Sequence, residues 1–131
     1  MPIYDRKWGD EDDILNAVYD DPNKALKVNI VSGGVVNPTS ITHGSVTVST
    51  AGTAVPLATS ATPVSKVVTI IADINNTGLI YVGNSSVTNG SGANPGFTLV
   101  QGASIDIYID DLSKIYVDAD NSGDKVYFIM T

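Results

Sequence analysis

The chain has 131 residues, 43% of them apolar and 16% charged, with a formal net charge of −7 and no cysteine. That length fits one domain with a real but shallow core, and the apolar fraction belongs to a globular chain rather than a disordered one. Seven basic against fourteen acidic residues argue against nucleic acid and anionic membrane surfaces as partners, because both require a cationic face, and the missing cysteines exclude disulfides and thiolate chemistry.

Met1–Asp5 lacks the character of a secretory leader, and no apolar run approaches the roughly 20 residues that cross a bilayer. The expectation is a protein made in the cytoplasm and stabilised by packing and self-assembly. Gly, Ser, Thr, Asn, Val and Ile are abundant. That mixture suits an all-β sandwich or barrel, whose turns use Gly and Asn and whose strands favour β-branched residues.

Residues 1–24 stand apart in composition. They hold seven of the fourteen acidic residues, the sole Trp and the sole Arg. Asp10 suits a helix N-cap with Asp13 three residues on, Ile14, Leu15 and Val18 then share one face, and Asp20-Asp21-Pro22 stops the run. A helix of about ten residues is marginal alone in water, so its apolar face must dock. It either packs on its own β-domain or serves as an adhesive arm, with Tyr4, Trp8, Ile14, Leu15 and Val18 as anchors on another subunit. The expected division is therefore an arm over 1–24 and a β-domain over 25–131.

Leu26, Val28 and Ile30 alternate with polar neighbours, which predicts a first strand ended by Ser32-Gly33-Gly34. Val35–Gly44 reads as a loop carrying the lone histidine, His43, which has neither cysteine nor carboxylate beside it to make a metal site. Val46 and Val48 begin a second strand. Thr53–Ala58 is a third, and its Pro56 places it at a sheet edge or bulge.

Lys66–Ile74 is the most apolar run and carries Val or Ile on both faces. That predicts a central strand, covered on one face by a second sheet and on the other by a neighbour or another subunit. Asn75-Asn76-Thr77-Gly78 reads as a turn, with Leu79–Gly83 as the hairpin partner. Asn84–Gly96 is low in complexity and predicts a flexible surface loop. Its Gly90-Ser91-Gly92 lacks the Gly-Lys-Ser/Thr ending of a phosphate loop. Phe97–Val100 is a further short strand.

From Ala103 the period-two pattern is clear. Ile105, Ile107 and Ile109, then Ile115 and Val117, then Val126, Phe128 and Met130 form three inward sets, which predicts an antiparallel meander. Asp118–Asp124 resembles the start of a calcium loop, with oxygen ligands at alternate positions and Gly123 sixth. Its twelfth position is Ile129 instead of a glutamate and strands flank it, so a polar hairpin turn is the reading. Catalytic constellations fail in turn: no Gly-x-Ser-x-Gly elbow accompanies His43, and of the carboxylates that could form a glycosidase pair, Asp73, Asp106, Asp110 and Asp111, Asp106 and Asp110 alternate outward on a strand as solvated faces do. No cofactor is expected.

Three phrases carry a resemblance: VVTIIADINNTGLIYVG (67–83), PGFTLVQGASIDI (95–107) and DLSKIYVDADNSGDKVYFI (111–129). Over Val64–Met130 the chain resembles a small β-domain of tailed-phage virion proteins of the capsid decoration (cement) and head-fibre type. The resemblance implies a mainly β fold, an antiparallel, jelly-roll-like sandwich. It also implies a homo-oligomer, often a homotrimer, on the virion surface, with the major capsid protein or another virion protein as partner. The arm lies outside the recurring phrases, which fits an adaptor for one capsid. The alternative is a glycan- or host-surface-binding module at a head or tail fibre, with Tyr81, Tyr108 or Tyr116 as the sugar platform.

Overall fold

In the computed structural model, which describes residues 37–131, the alternating runs become strands. The expected arm over 1–24, with Tyr4, Trp8, Ile14, Leu15 and Val18, and the expected strand at Leu26–Ile30 lie outside the described residues. The strands are β1 (Thr42–Thr47), β2 (Val55–Pro56), β3 (Val68–Ala72), β4 (Ile80–Gly83), β5 (Phe97–Leu99), β6 (Ser104–Ile107), β7 (Tyr116–Ala119) and β8 (Lys125–Met130). One turn of 3-10 helix, Leu112–Lys114, precedes β7, and the Asp111 side chain caps it by accepting from Ser113 N.

These strands form two four-stranded antiparallel sheets, and the described residues are mainly β with almost no helix. The first sheet has the order β1–β8–β3–β6 and the second β2–β7–β4–β5. Period-two alternation places Val68, Ile70, Ala72 and Val126 of the first sheet, and Ile80, Val82, Leu99, Val117 and Ala119 of the second, in one buried cluster with Val48, Leu57, Leu112 and Ile115. Each fully buried Val, Leu or Ile side chain contributes about 1.5–3 kcal/mol, which makes this cluster the main source of stability.

Pro56 sits on β2 at the edge of the second sheet, where its missing N–H breaks no interior ladder. The apolar run at 66–74 supplies β3, which lies between β8 and β6. Both positions agree with the pattern in the sequence.

The pairings differ from the expected hairpin and meander. β3 and β4 belong to different sheets, so Asn75–Gly78 is a crossover instead of a hairpin turn. β6, β7 and β8 alternate first, second, first, and Asp120–Asp124 likewise crosses between sheets. Alternation reveals which side of a strand faces inward, but says nothing about which strand lies beside it. A connection of five or more residues reaches the roughly 10 Å from one sheet to its neighbour as easily as it makes a hairpin. Among the described residues β4 and β5 are the one consecutive pair that hydrogen-bond to each other. His43 lies on β1, paired with Ile129, and not in a loop.

Candidate functional site

The acidic crossover after β7 is built from carboxylates that face different loops. Asp118, fully enclosed on β7, accepts from Gly52 N at 2.9 Å and Ala119 N at 2.8 Å through Oδ1. Asp120 accepts from the Tyr81 hydroxyl at 3.1 Å and from Gly90 N at 3.4 Å. Asp124 accepts from Thr77 N and Gly78 N, both at 2.8 Å, one on each oxygen. Ser122 Oγ accepts from Ala51 N at 2.9 Å, and Gly123 takes φ +97°, the left-handed region that glycine enters without strain. Across the same end, the Asn76 side chain donates to Lys125 O at 2.9 Å and accepts from Lys125 N at 2.8 Å, as a strand backbone would.

This arrangement ties three loops to one crossover through amide donors. A calcium ion needs six or more oxygens converging on a point. Here the oxygens diverge, and among the described residues no three His, Asp or Glu side chains gather as metal ligands. The enclosed Asp118 Oδ2 has no hydrogen-bond partner and is a single oxygen.

The outer face of the second sheet is covered where Tyr81 of β4 and Asp118 of β7 are enclosed, while Thr98 on the edge strand β5 stays exposed. Asn84–Gly96, expected as a flexible loop, lies across it with Val87 and Asn89 buried. Asn89 Nδ2 donates to Ala119 O at 3.0 Å, while its Oδ1 accepts from Ser91 N. Asn94 N donates to Thr88 Oγ1 at 2.9 Å, and Asn94 Nδ2 donates to Ser86 O at 3.1 Å. Gly96 passes so close that an added Cβ would strike the Val82 carbonyl oxygen and the Val87 side chain. The low complexity of this stretch therefore reflects close packing and many local Asx turns, not freedom.

The outer face of the first sheet is bare among the described residues. Its outward residues fall in rows across the strands: His43, Ile129, Thr69 and Asp106 in one, Ser45, Tyr127, Ile71 and Ser104 in the next. Ile71, Tyr127 and Ile129 are 38%, 42% and 44% exposed and rim a hollow of about 300 Å³. Tyr127 is held by a corner contact: its hydroxyl donates to Asp73 Oδ2 at 3.3 Å, and Lys125 Nζ lies 5.5 Å from its ring centre and 3.7 Å from Asp73. Donation from Asn75 N holds the Asp73 carboxyl below the ordinary carboxylate value, helped by Tyr127 and Lys125 against partial desolvation.

The three candidate tyrosines are not brought together. Tyr81 is 5% exposed beneath the 84–96 loop, where burial and then Asp120 raise its phenol. Tyr116 is half-buried on β7, opposite Gly83. Tyr108, after β6, is 73% exposed and borders a cavity of about 560 Å³ with Ile41, Lys66, Val67 and Thr131. The candidate acid–base carboxylates are likewise separately engaged. Asp106 accepts from Thr69 Oγ1 at 2.6 Å, Asp110 pairs with Lys114 at 2.8 Å, and Asp111 accepts from Thr62 N and Ser113 N.

Sequence reasoning marked β3 as two-sided, but singled out neither Tyr127 nor Ile129. Their signal was the same alternation, with apolar or aromatic residues on the outward phase of β8. Compared with known family models and with curated proteins, the chain finds no match.

Proposed function

We propose that this chain is a non-catalytic structural protein of a tailed-phage virion, a capsid decoration or cement protein whose two sheets form a jelly-roll sandwich. The observation that carries the reading is the strand order. The orders β1–β8–β3–β6 and β2–β7–β4–β5 match an eight-stranded jelly roll wound as two Greek keys, an architecture frequent in viral capsid and lectin domains. Fold alone does not fix function. The resemblance of residues 64–130 to phage virion proteins supplies the class, and the separately engaged carboxylates are consistent with a scaffold.

In this reading the protein assembles in the host cytoplasm, joins the capsid surface and attaches to the major capsid protein or another virion protein. Attachment uses residues 1–24, with Tyr4, Trp8, Ile14, Leu15 and Val18 as anchors, while the β-domain supplies a homo-oligomer, a trimer if it follows the resemblance. Neither nucleic acid nor membrane is a partner, in keeping with the net charge of −7. The test is sedimentation with undecorated phage heads. The intact chain should co-sediment and a chain starting at Asn23 should not. Unchanged binding by the shortened chain would remove the arm assignment.

One observation favours a second reading, a glycan- or host-surface-binding module. Tyr108 presents an open ring beside Lys66 and the cavity of about 560 Å³, and an exposed aromatic is a usual platform for a sugar face. Glycan-array binding that is lost in Tyr108→Ala, yet survives removal of residues 1–22, would favour it over decoration.

A further inference from the structure

We infer that Asn89 is a self-modifying latch: its side-chain amide is lost as ammonia when the 84–96 segment lifts from β4, and the carboxylate left behind keeps the segment from closing again. The inference goes beyond the capsid reading and does not depend on it.

Deamidation needs a backbone N–H on the residue that follows an asparagine, and it is fastest where that residue has no Cβ to hinder the approach. Asn89-Gly90 is the one Asn-Gly pair in the sequence. Asn37 and Asn94 precede prolines, which have no N–H to lose. Glycine at position 90 is imposed by packing, because an added Cβ would strike the Tyr81 hydroxyl. The segment over Tyr81 is thus built around the most labile amide in the chain.

In the step itself, Gly90 N gives up its proton and attacks Asn89 Cγ. The Cγ–Nδ2 bond breaks, and ammonia leaves with that proton. Water then opens one of the two imide C–N bonds, giving either aspartate or isoaspartate. Neither an oxidant nor a reductant takes part.

The closed structure blocks this attack. Asn89 Nδ2 donates to Ala119 O at 3.0 Å, Asn89 Oδ1 accepts from Ser91 N and Ser91 Oγ, and Gly90 N is directed at Asp120 Oδ1 at 3.4 Å. With Asn89 only 8% exposed, these bonds must break before Cγ can swing onto Gly90 N. The bonds to Ala119 and Asp120 also fasten the middle of the segment to β7 and to the crossover after it. The segment's other bonds that involve a side chain are internal. Freeing the amide and lifting the segment are therefore one event.

Closure afterwards is opposed twice. The donor to Ala119 O has become an oxygen, so two acceptors face each other. The new charge also returns beside Asp118 and Asp120, the residues that flank Ala119, and the enclosed Asp118 already has one oxygen without a partner.

The experiment follows each asparagine by peptide mass mapping while the intact chain stands at mildly alkaline pH, folded and in urea. The folded chain should convert at Asn89 alone, about tenfold to a thousandfold more slowly than Asn89 converts in urea, because conversion waits for local opening. Gly96→Ala, which lifts the segment, should speed conversion in the folded chain by about tenfold or more. The converted protein should show faster hydrogen exchange confined to the segment and β4, and Asn89→Asp made directly should reproduce it, which keeps the latch testable if Gly96→Ala does not fold. Equal rates folded and in urea, other asparagines converting as fast as Asn89, or no conversion of the folded chain within that range would each overturn the inference. So would unchanged exchange over 84–96 after conversion.

Discussion

The two sheets have the same strand number and the same alternation, yet their outer faces have opposite fates. Over β4 and β7 the second sheet's outer face is closed by its own chain: Asn84–Gly96 covers Tyr81, and the loop around Gly52 reaches Asp118. The first sheet's outer face, with Ile71, Tyr127 and Ile129, is covered by none of the described loops. A polar or aromatic residue on the outward phase of a strand is therefore not automatically at the surface. What decides is whether a neighbouring loop is long enough, and furnished with enough donors and acceptors, to lie down on the sheet.

The contrast can be broken from the end both faces share. Asp124→Ala should have the largest effect, because Thr77 N and Gly78 N lose a buried acceptor and the crossover between β3 and β4 loses its anchor. A loss of about 2–4 kcal/mol in urea unfolding is expected. Gly96→Ala attacks the covered face alone. Its Cβ would meet the Val82 carbonyl, so the 84–96 loop must lift, at a cost of about 1–3 kcal/mol and with faster hydrogen exchange confined to that loop and β4.

The smallest effect belongs to acid and to the bare face. Asp73 is held below the ordinary carboxylate value of 3.8 by Asn75 N, Tyr127 and Lys125. A depressed carboxyl stabilises the fold above that value, and the contribution is lost as pH falls through it towards the lowered one. The melting temperature of the parent should therefore fall more steeply than that of Asp73→Asn as pH is lowered from about 5 to about 2.

Inward phases were legible from the sequence wherever alternation was clean. Ile105 and Ile107 on β6, Val117 on β7, and Val126 and Met130 on β8 all face the core as their period predicts. Pro56 marked an edge because a missing N–H is a local property. Sheet membership was not legible, because pairing is decided by distant strands. Asn75–Gly78 has the residues of a hairpin turn, yet Asn76 and Thr77 use their donors and acceptors on β8 and on the crossover before it. The tyrosines make the same point for the site. Tyr81 and Tyr108 look alike in one dimension, and only the position of the 84–96 loop makes one a buried strut and the other an open ring. The expected anchors Tyr4, Trp8, Ile14, Leu15 and Val18 lie outside the described residues.

The strand order also sets a timetable. β8 lies between β1 and β3, so an interior ladder of the first sheet is contributed by the strand synthesised after all its partners. The pairing of β1 with β8 joins Thr42 to Met130 across most of the domain, and only β4–β5 can zip locally among the described strands. Such non-local pairing slows folding into the millisecond-to-second range. On the ribosome the nascent chain must wait with β1, β3 and β6 made but the gap between β1 and β3 still empty. During that interval β1 and β3 present unpaired edges, and the carboxylate-rich segment at Asp118–Asp124 emerges just ahead of the strand that closes them. Unpaired edges are where incomplete chains pair with one another, so this interval is when aggregation is most exposed.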